Sequence, residues 1–435
     1  MNHALAITPL DAAAILIVLA AMLGYLNHRF IGLPQSVGLT VMGAVASLIV
    51  VGIDHLLPAS RVGEQAMRFI SGINFQATLM DGMLSFLLFA GALHVDWSNM
   101  RRGTWPILVL STIGVLISTV IVGGGFYFLT DVVGVDLPLI WCFVFGALIS
   151  PTDPVAVMGI LKRATVDPTL QATVAGESLF NDGVGVVVFS IILATAMSGE
   201  AFSVGRGIEL FFIEAGGGVV LGLVTGWVAF RAMRSIDEYN VEVMISLAVV
   251  MGGYALARQL HVSGPVAMAV AGLLIGNHGV AHAMSDTTRD YLIKFWSLID
   301  EILNAVLFLL IGLVVVTIPF DRRLIFVGLA SIPLVLFART IAVALPLTAL
   351  RPLRRLGPLA PPILIWGGLR GGISIALALG LPDGLSRSVE LTATYVVVLF
   401  AVIVQGGTIA KLIDRWRVRS SVNTDRTDTP EAPTA

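Results

Sequence analysis

The feature that most constrains this chain is the repetition of long apolar runs. Cutting the sequence at charged residues, glycines and prolines leaves about thirteen of them. A helix needs about 20 apolar residues to cross a bilayer, and most of the runs approach that length. Charged residues make up only 12% of the chain, against roughly 25% in an average soluble protein. Because backbone groups inside lipid must be satisfied within each helix, the sequence predicts an all-α polytopic membrane protein.

The predicted spans follow one another with short polar loops between them. They cover residues 10–26, 32–52, 74–95, 104–129, 137–161, 171–197, 207–230, 240–260, 263–277, 290–317, 323–349, 360–382 and 389–413. Fifteen lysines and arginines lie in or beside one set of alternate loops, and seven lie beside the other set. Cytoplasmic loops carry the excess of positive charge. We therefore expect a multi-pass protein of the cell (inner) membrane, with its N-terminus outside and its C-terminus in the cytoplasm.

Composition also limits what else the chain contains. Residues 1–415 are predicted to form the membrane domain, and the polar residues 416–435 a short disordered cytoplasmic tail. The net charge is -2 and there is no basic tract, which argues against a nucleic-acid partner. The single cysteine, Cys142, offers neither a disulfide nor a thiolate metal site. No Walker-type glycine-lysine loop is present, so we expect no ATP site. We also expect no other cofactor, and a protein that is not an enzyme.

Two predicted spans contain residues that interrupt a helix. In the fifth, Pro151 and Pro154 flank Asp153, and each proline removes a backbone donor and disfavours helix in the residue before it. In the twelfth, four glycines surround Arg370. The fifth span is the fifth of spans 1–6, and the twelfth span is the fifth of spans 8–13. The seventh span then links the two halves. The pattern predicts two inverted six-helix repeats whose broken helices build a transport site.

The sixth predicted span carries two acids. A charge at the centre of a membrane helix costs roughly 2.5–3.5 kcal/mol on insertion scales, so Glu177 and Asp182 require an explanation. At helical spacing Ser178 and Asp182 share a face, and Glu177 and Asn181 form the adjacent stripe. A hydroxyl next to a carboxylate offers hard oxygen ligands to a small cation. The alternative is a structural ion pair, which is better supported for Glu177 than for Asp182.

Further polar residues lie in predicted spans without a clear role. They are Arg339 in the eleventh span and Asp300, Glu301 and Asn304 in the tenth. Structural and functional interpretations of these residues are equally supported.

Three motifs together are specific to one family. The chain reads SPTDPVAV at 150–157, GESLFNDG at 176–183 and GLRGG at 368–372. These resemble the bacterial NhaP-type sodium/proton antiporters, which belong to the monovalent cation:proton antiporter superfamily with the animal sodium/proton exchangers. The resemblance covers nearly the whole membrane part. It implies a homodimer in which spans 5 and 12 are unwound and cross. The core domain would include spans 3–6 and 10–13, and the dimerisation domain spans 1–2 and 7–9.

The resemblance also implies a set of cation ligands. Asp182 would be the principal Na+ ligand and the proton carrier, with Asp153 beside it. Ser178 would add a hydroxyl ligand and Thr152 a main-chain oxygen. One departure matters: Ala90 stands where several relatives have a glutamate in the third span. A carboxylate that reaches the ion through water is therefore missing, unless Asp81 or another acid takes its part.

Three further residues would support this site by resemblance. Asn181 would hold the crossing segments in place, and Glu177 would pair with Arg370. The Asn-Asp pair formed with Asp182, where electrogenic relatives have Asp-Asp, implies electroneutral one-for-one exchange.

The function we expect is exchange of Na+, or of Li+ or K+, for H+ across the cell membrane. A cation and a proton each relieve the charge of a desolvated carboxylate site, so each displaces the other, and alternating access then moves the loaded site. A cation channel is the alternative, since channels also use acidic side chains. An intramembrane aspartyl protease also needs two membrane acids, but it offers no role for Arg370 or for the prolines around Asp153.

Overall fold

The computed structural model describes residues 9–56, 82–164, 166–199, 203–279, 284–318, 321–349, 356–357 and 359–427. Within these ranges the regular structure is helical, and the one isolated β-bridge joins Asp153 and Leu369. The α-helices are α1 (Pro9–Leu26), α2 (Gln35–Leu56), α3 (Leu84–Leu93), α4 (Trp97–Arg102), α5 (Thr104–Val109), α6 (Val115–Val133), α7 (Leu139–Ile149), α8 (Val155–Arg163), α9 (Pro168–Ser198), α10 (Val204–Phe211), α11 (Gly217–Met233), α12 (Tyr239–Gln259), α13 (Gly264–Leu274), α14 (Asp286–Leu313), α15 (Arg322–Ala349), α16 (Ala360–Trp366), α17 (Gly372–Leu379), α18 (Leu385–Phe400) and α19 (Gly406–Thr427).

Short π-helical turns connect several of these helices into longer spans. They are Leu110–Gly114 between α5 and α6, Phe212–Gly216 between α10 and α11, and Ala401–Gln405 between α18 and α19. Among the described residues, nine helical segments are long and apolar enough to cross a membrane, and three shorter apolar helices accompany them. The all-α membrane fold is confirmed, and the helices are compatible with the thirteen predicted spans. The first part of the third predicted span lies outside the described residues.

The central helix α9 is long because its ends are well defined and its interior lacks proline. Asp167 caps the N-terminus, where its Oδ1 accepts hydrogen bonds from the backbone N–H of Thr169 at 2.8 Å and of Leu170 at 3.2 Å. Pro168 occupies the first turn, and Gly199 ends the helix with φ of 68°. The helix has 31 residues and therefore a length of about 46 Å. It carries the acidic stretch of the sixth predicted span through the middle of the molecule.

Both predicted interruptions are present, and they meet. Helix α7 ends at Ile149 and α8 begins at Val155, while α16 ends at Trp366 and α17 begins at Gly372. The backbone N–H of Asp153 in the first break donates to the carbonyl oxygen of Leu369 in the second at 2.9 Å. The two broken spans are therefore joined at their irregular segments.

Close packing of α6 against α7 holds the first break in place. A Cβ atom on Gly146 would lie 2.5 Å from the carbonyl oxygen of Thr119 and 2.9 Å from the nitrogen of Gly123, so the backbones approach at a distance that only glycine allows. The hydroxyls of Thr119 and Ser150 lie 3.3 Å apart at the end of α7.

The C-terminal tail differs from the prediction. We expected disorder from residue 416, but α19 continues to Thr427. The reason is that neither glycine nor proline occurs between Gly407 and Pro430, so nothing in the sequence stops the helix at the end of the apolar run. The remainder of the tail, residues 428–435, lies outside the described residues.

Candidate functional site

A cavity of about 570 Å³ lies where the two breaks meet α9. Thr152, Asp153 and Asp182 all line it, so the structure brings together residues that the sequence placed in two separate spans. Asp182 is buried, and its charge interacts with those of Asp153 and Glu177. No lysine or arginine is among the described residues that line this cavity. The cavity is therefore acidic.

Asn181 connects the first break to α9 through Thr152. Its Oδ1 accepts a hydrogen bond from the backbone N–H of Thr152 at 3.2 Å, and its Nδ2 donates to the Thr152 hydroxyl at 2.6 Å. The same hydroxyl lies 3.1 Å from the Ser178 hydroxyl. Because all three side chains are buried, these hydrogen bonds fix the position of the first break along α9.

Asp153 has two roles in the local backbone. Its N–H pairs with Leu369, as described above, and its Oδ1 accepts a hydrogen bond from the backbone N–H of Val155 at 2.9 Å. The second bond caps the start of α8. One carboxylate oxygen is thus engaged by the backbone, while the residue still lines the cavity.

The predicted ion pair between Glu177 and Arg370 is wrong. Glu177 pairs instead with Arg339 of α15, with Nη1–Oε1 at 2.5 Å and Nη2–Oε2 at 2.9 Å. Arg339 also donates from Nε and Nη2 to the carbonyl oxygen of Leu364, at 3.0 and 2.8 Å. The structural interpretation of Glu177 as half of an ion pair holds, but with a partner in the eleventh predicted span.

Arg370 binds backbone carbonyls for a reason that lies in the first break. Its Nη1 donates to the carbonyl oxygens of Ser150 and, at 3.0 Å, of Pro151. In a continuous helix these oxygens would accept from residues 154 and 155, but Pro154 has no N–H and the N–H of Val155 is taken by Asp153. The C-terminus of α7 also carries partial negative charge, which favours a cation there.

Glycines of the second break allow the close contacts around these side chains. A Cβ atom on Gly368 would lie 2.5 Å from Nε of Arg339. A Cβ atom on Gly371 would overlap the carboxylate of Asp153. The GLRGG sequence therefore lets the second break approach both the ion pair and the acidic cavity.

Several lining residues were not assigned to the site from the sequence. Asp300 and Asn304 of α14 line the cavity, and Nδ2 of Asn304 donates to Oδ1 of Asp300 at 3.0 Å. Glu301 and Ser374 line it as well. Asp300, Glu301 and Asn304 could have been assigned from the sequence, because they are polar residues at helical spacing in the tenth predicted span. Nothing in the sequence singles out Ser374.

Comparison with known proteins identifies relatives along the whole membrane part. The sequence model of the family described as sodium/hydrogen exchanger, transmembrane, matches residues 17–415. The chain is 50% identical over 411 residues to the Na+/H+ antiporter NhaP of Pseudomonas aeruginosa, covering 93% of this chain and 96% of that protein. It is 36% identical over 388 residues to the Na+/H+ antiporter NhaH of Halobacillus dabanensis, covering 88% and 92%.

The fold has a counterpart among solved structures. The sodium proton antiporter MjNhaP1 of Methanocaldococcus jannaschii superimposes with a TM-score of 0.72 at 20% identity, over 93% of this chain and 98% of that one. At this identity the likeness concerns the fold alone. The sequence match covers far more than half of the chain, and it includes both breaks and the acidic stretch of α9. The chain belongs to the sodium/hydrogen exchanger family.

Proposed function

We propose that this protein exchanges Na+ for H+ across the cell membrane. The observation that carries the proposal is that Asp153 and Asp182 line one cavity with no lysine or arginine among its described lining residues, at the junction of two broken helices. Its relatives in P. aeruginosa and H. dabanensis are named Na+/H+ antiporters. Broken helices around a site at membrane depth are typical of secondary transporters.

The chemistry follows from competition for a single acidic site. The buried carboxylate of Asp182 and the half-buried one of Asp153 repel each other when both are ionised, and either a proton or a cation relieves that repulsion. Asp182 and Asp153 supply charged oxygens, and Ser178 and Thr152 supply neutral ones. Na+ binding therefore displaces the proton, and protonation displaces Na+. Alternating access of the loaded site to the two sides converts this competition into exchange.

Exchange is proposed to be electroneutral, with one Na+ for one H+. Asn181, the neighbour of Asp182, uses its side-chain oxygen and nitrogen to hold Thr152 and carries no titratable proton. The exchange rate in proteoliposomes should then stay unchanged when valinomycin and K+ collapse the membrane potential. A potential-dependent rate would contradict this stoichiometry.

The assembly and orientation complete the proposal. The protein lies in the inner membrane with its C-terminus in the cytoplasm, as the distribution of positive charges indicates. Two copies associate through a dimerisation domain built from spans 1–2 and 7–9, while spans 3–6 and 10–13 form the core domain. The span Val204–Met233 supports this division, because only 17% of its most apolar window is buried within one copy.

The decisive experiment is Na+-driven proton flux in proteoliposomes with Asp182→Asn. The variant should retain a folded protein and lose exchange, because an amide neither carries the proton nor balances a cation. Asp290→Asn is a matched control, since Asp290 is exposed, pairs with Lys294 at 2.6 Å and does not line the cavity. Wild-type rates from Asp182→Asn would refute the assignment. Counterflow measurements separate exchange from the conductance expected of a channel.

A further inference from the structure

Ser374 is a buried hydroxyl without a partner beside the acidic cavity. Ser374 is 1% exposed, and its Oγ has no hydrogen-bond partner among the described residues. Yet Ser374 lines the same cavity as Asp153 and Asp182. Since buried polar groups are nearly always satisfied, this hydroxyl has unused lone pairs that suit a ligand in the cavity that Ser374 lines.

The position of Ser374 in the second break brings it towards the carboxylates. Gly371 abuts the Asp153 side chain so closely that a Cβ atom there would overlap the carboxylate. Gly371 is the N-cap residue of α17 and has an extended backbone, and Ser374 follows it by three residues, in the first turn of the helix. Ser374 therefore lies in the first turn of α17, close in sequence to the point at which the second break touches Asp153.

The chemistry of a hydroxyl fits a cation better than a proton. A hard cation that has lost its hydration shell takes oxygen ligands, and a serine hydroxyl supplies a lone pair without adding charge. A proton on a carboxylate needs no such ligand set. Ser178, the other hydroxyl of the site, is already shared with Thr152.

We propose that Ser374 is a ligand of the transported cation, contributed by the second break. This inference rests on the proposed function and deepens it. Thr152, Asp153, Ser178 and Asp182 come from the first break and α9, whereas Ser374 comes from α17. A bound cation therefore bridges the two broken spans, and a bound proton does not. The two loaded forms of the site differ in how firmly the breaks are held together.

The test compares Ser374→Ala and Ser374→Cys with wild type in proteoliposomes. Loss of a contact with a charged group raises the KM for Na+ by about tenfold, while the rate at saturating Na+ is retained. The pH at which the saturated rate is half-maximal should not move, because proton binding does not use this hydroxyl. The KM for Li+ should rise less, since the smaller ion is satisfied by fewer oxygens. Cysteine fills the space of the serine side chain with a larger, soft sulfur instead of a hard oxygen, so its KM for Na+ should rise as that of the alanine variant does.

Ser118→Ala is the matched control. Ser118 is also buried and its Oγ also lacks a partner among the described residues, but it does not line the cavity. Its KM for Na+ should equal that of wild type. Unchanged KM values in both Ser374 variants would overturn the proposal. So would a wild-type KM for Ser374→Cys combined with a raised KM for Ser374→Ala, because that result indicates packing. Absence of Na+-dependent exchange in wild type would instead refute the proposed function itself.

Discussion

Arg339 holds Glu177 in a buried ion pair with two N–O contacts, at 2.5 and 2.9 Å. The second break connects the pair to the acidic cavity, because Gly368 abuts Arg339 and Gly371 abuts Asp153. It neutralises one of the two acids of the sixth predicted span. Of the acids on the first break and α9, Asp153 and Asp182 therefore remain to face a cation in the cavity, which Asp300 and Glu301 of α14 also line.

This pairing predicts a specific order of stabilities. Arg339→Ala leaves the buried Glu177 carboxylate without a partner and should lower the free energy of unfolding by about 3–5 kcal/mol. Arg370→Ala removes a donor from two carbonyl oxygens but strands no acid, so it should cost less. Thermal melts in detergent measure both.

A double-mutant cycle identifies the partner directly. Glu177→Gln should be strongly non-additive with Arg339→Ala and close to additive with Arg370→Ala. The reverse pattern would mean that Glu177 is paired with Arg370 in the membrane.

The choice between the two arginines shows where sequence reasoning stopped. The breaks were predictable because proline and glycine act locally, and the acids stood out because charges are costly in an apolar run. The partner of Glu177 could not be predicted from the sequence, because two predicted spans each carry one arginine. The decision depends on which carbonyl groups the prolines of the first break leave unsatisfied, and that is visible only when the breaks are brought together.

Ser374 and the last helix illustrate two other limits. The sequence contains many serines, and Ser374 is distinguished from the others only by the cavity that it lines. The continuation of α19 reflects the absence of helix-stopping residues, whereas a composition rule looks only at polarity. The resemblance to a family supplied most residues of the proposed site, and the structure supplied the hydrogen bonds between them.

Asn181 is predicted to be required for the position of the first break. Asn181→Ala removes the acceptor of the Thr152 N–H and the donor to the Thr152 hydroxyl, both buried. Leaving such groups unsatisfied costs about 1–3 kcal/mol each. We expect a lower melting temperature and strongly reduced exchange.

Thr173→Ala serves as the comparison for Asn181→Ala. Thr173 is buried on the same helix, but its hydroxyl donates to the backbone carbonyl of Thr169 within that helix. Its exchange rate should stay near wild type. Equal losses in both variants would indicate that exchange responds to any weakening of α9.

Glu390 is predicted to be dispensable for stability. It is fully buried on α18, and neither carboxylate oxygen has a hydrogen-bond partner among the described residues. Replacing a buried, unpaired acid by an apolar side chain of similar size removes a desolvation penalty. Glu390→Met should therefore leave the melting temperature unchanged or raise it, whereas Glu177→Met should lower it by stranding Arg339. A marked fall for Glu390→Met would show that a bound water or ion satisfies this carboxyl.

The shared acidic site also predicts how Na+ and pH act together. Because a proton and Na+ neutralise the same carboxylates, lowering the pH should raise the apparent KM for Na+, and enough Na+ should restore the rate. The sign follows from mass action: at lower pH more sites carry a proton, and each must lose it before Na+ binds. Initial rates over a grid of pH and Na+ concentration measure this, with Asp290→Asn as a variant that leaves the grid unchanged. If added Na+ failed to restore the rate at low pH, protonation would act at a place other than the cation site, and Asp153 and Asp182 would no longer account for both ions.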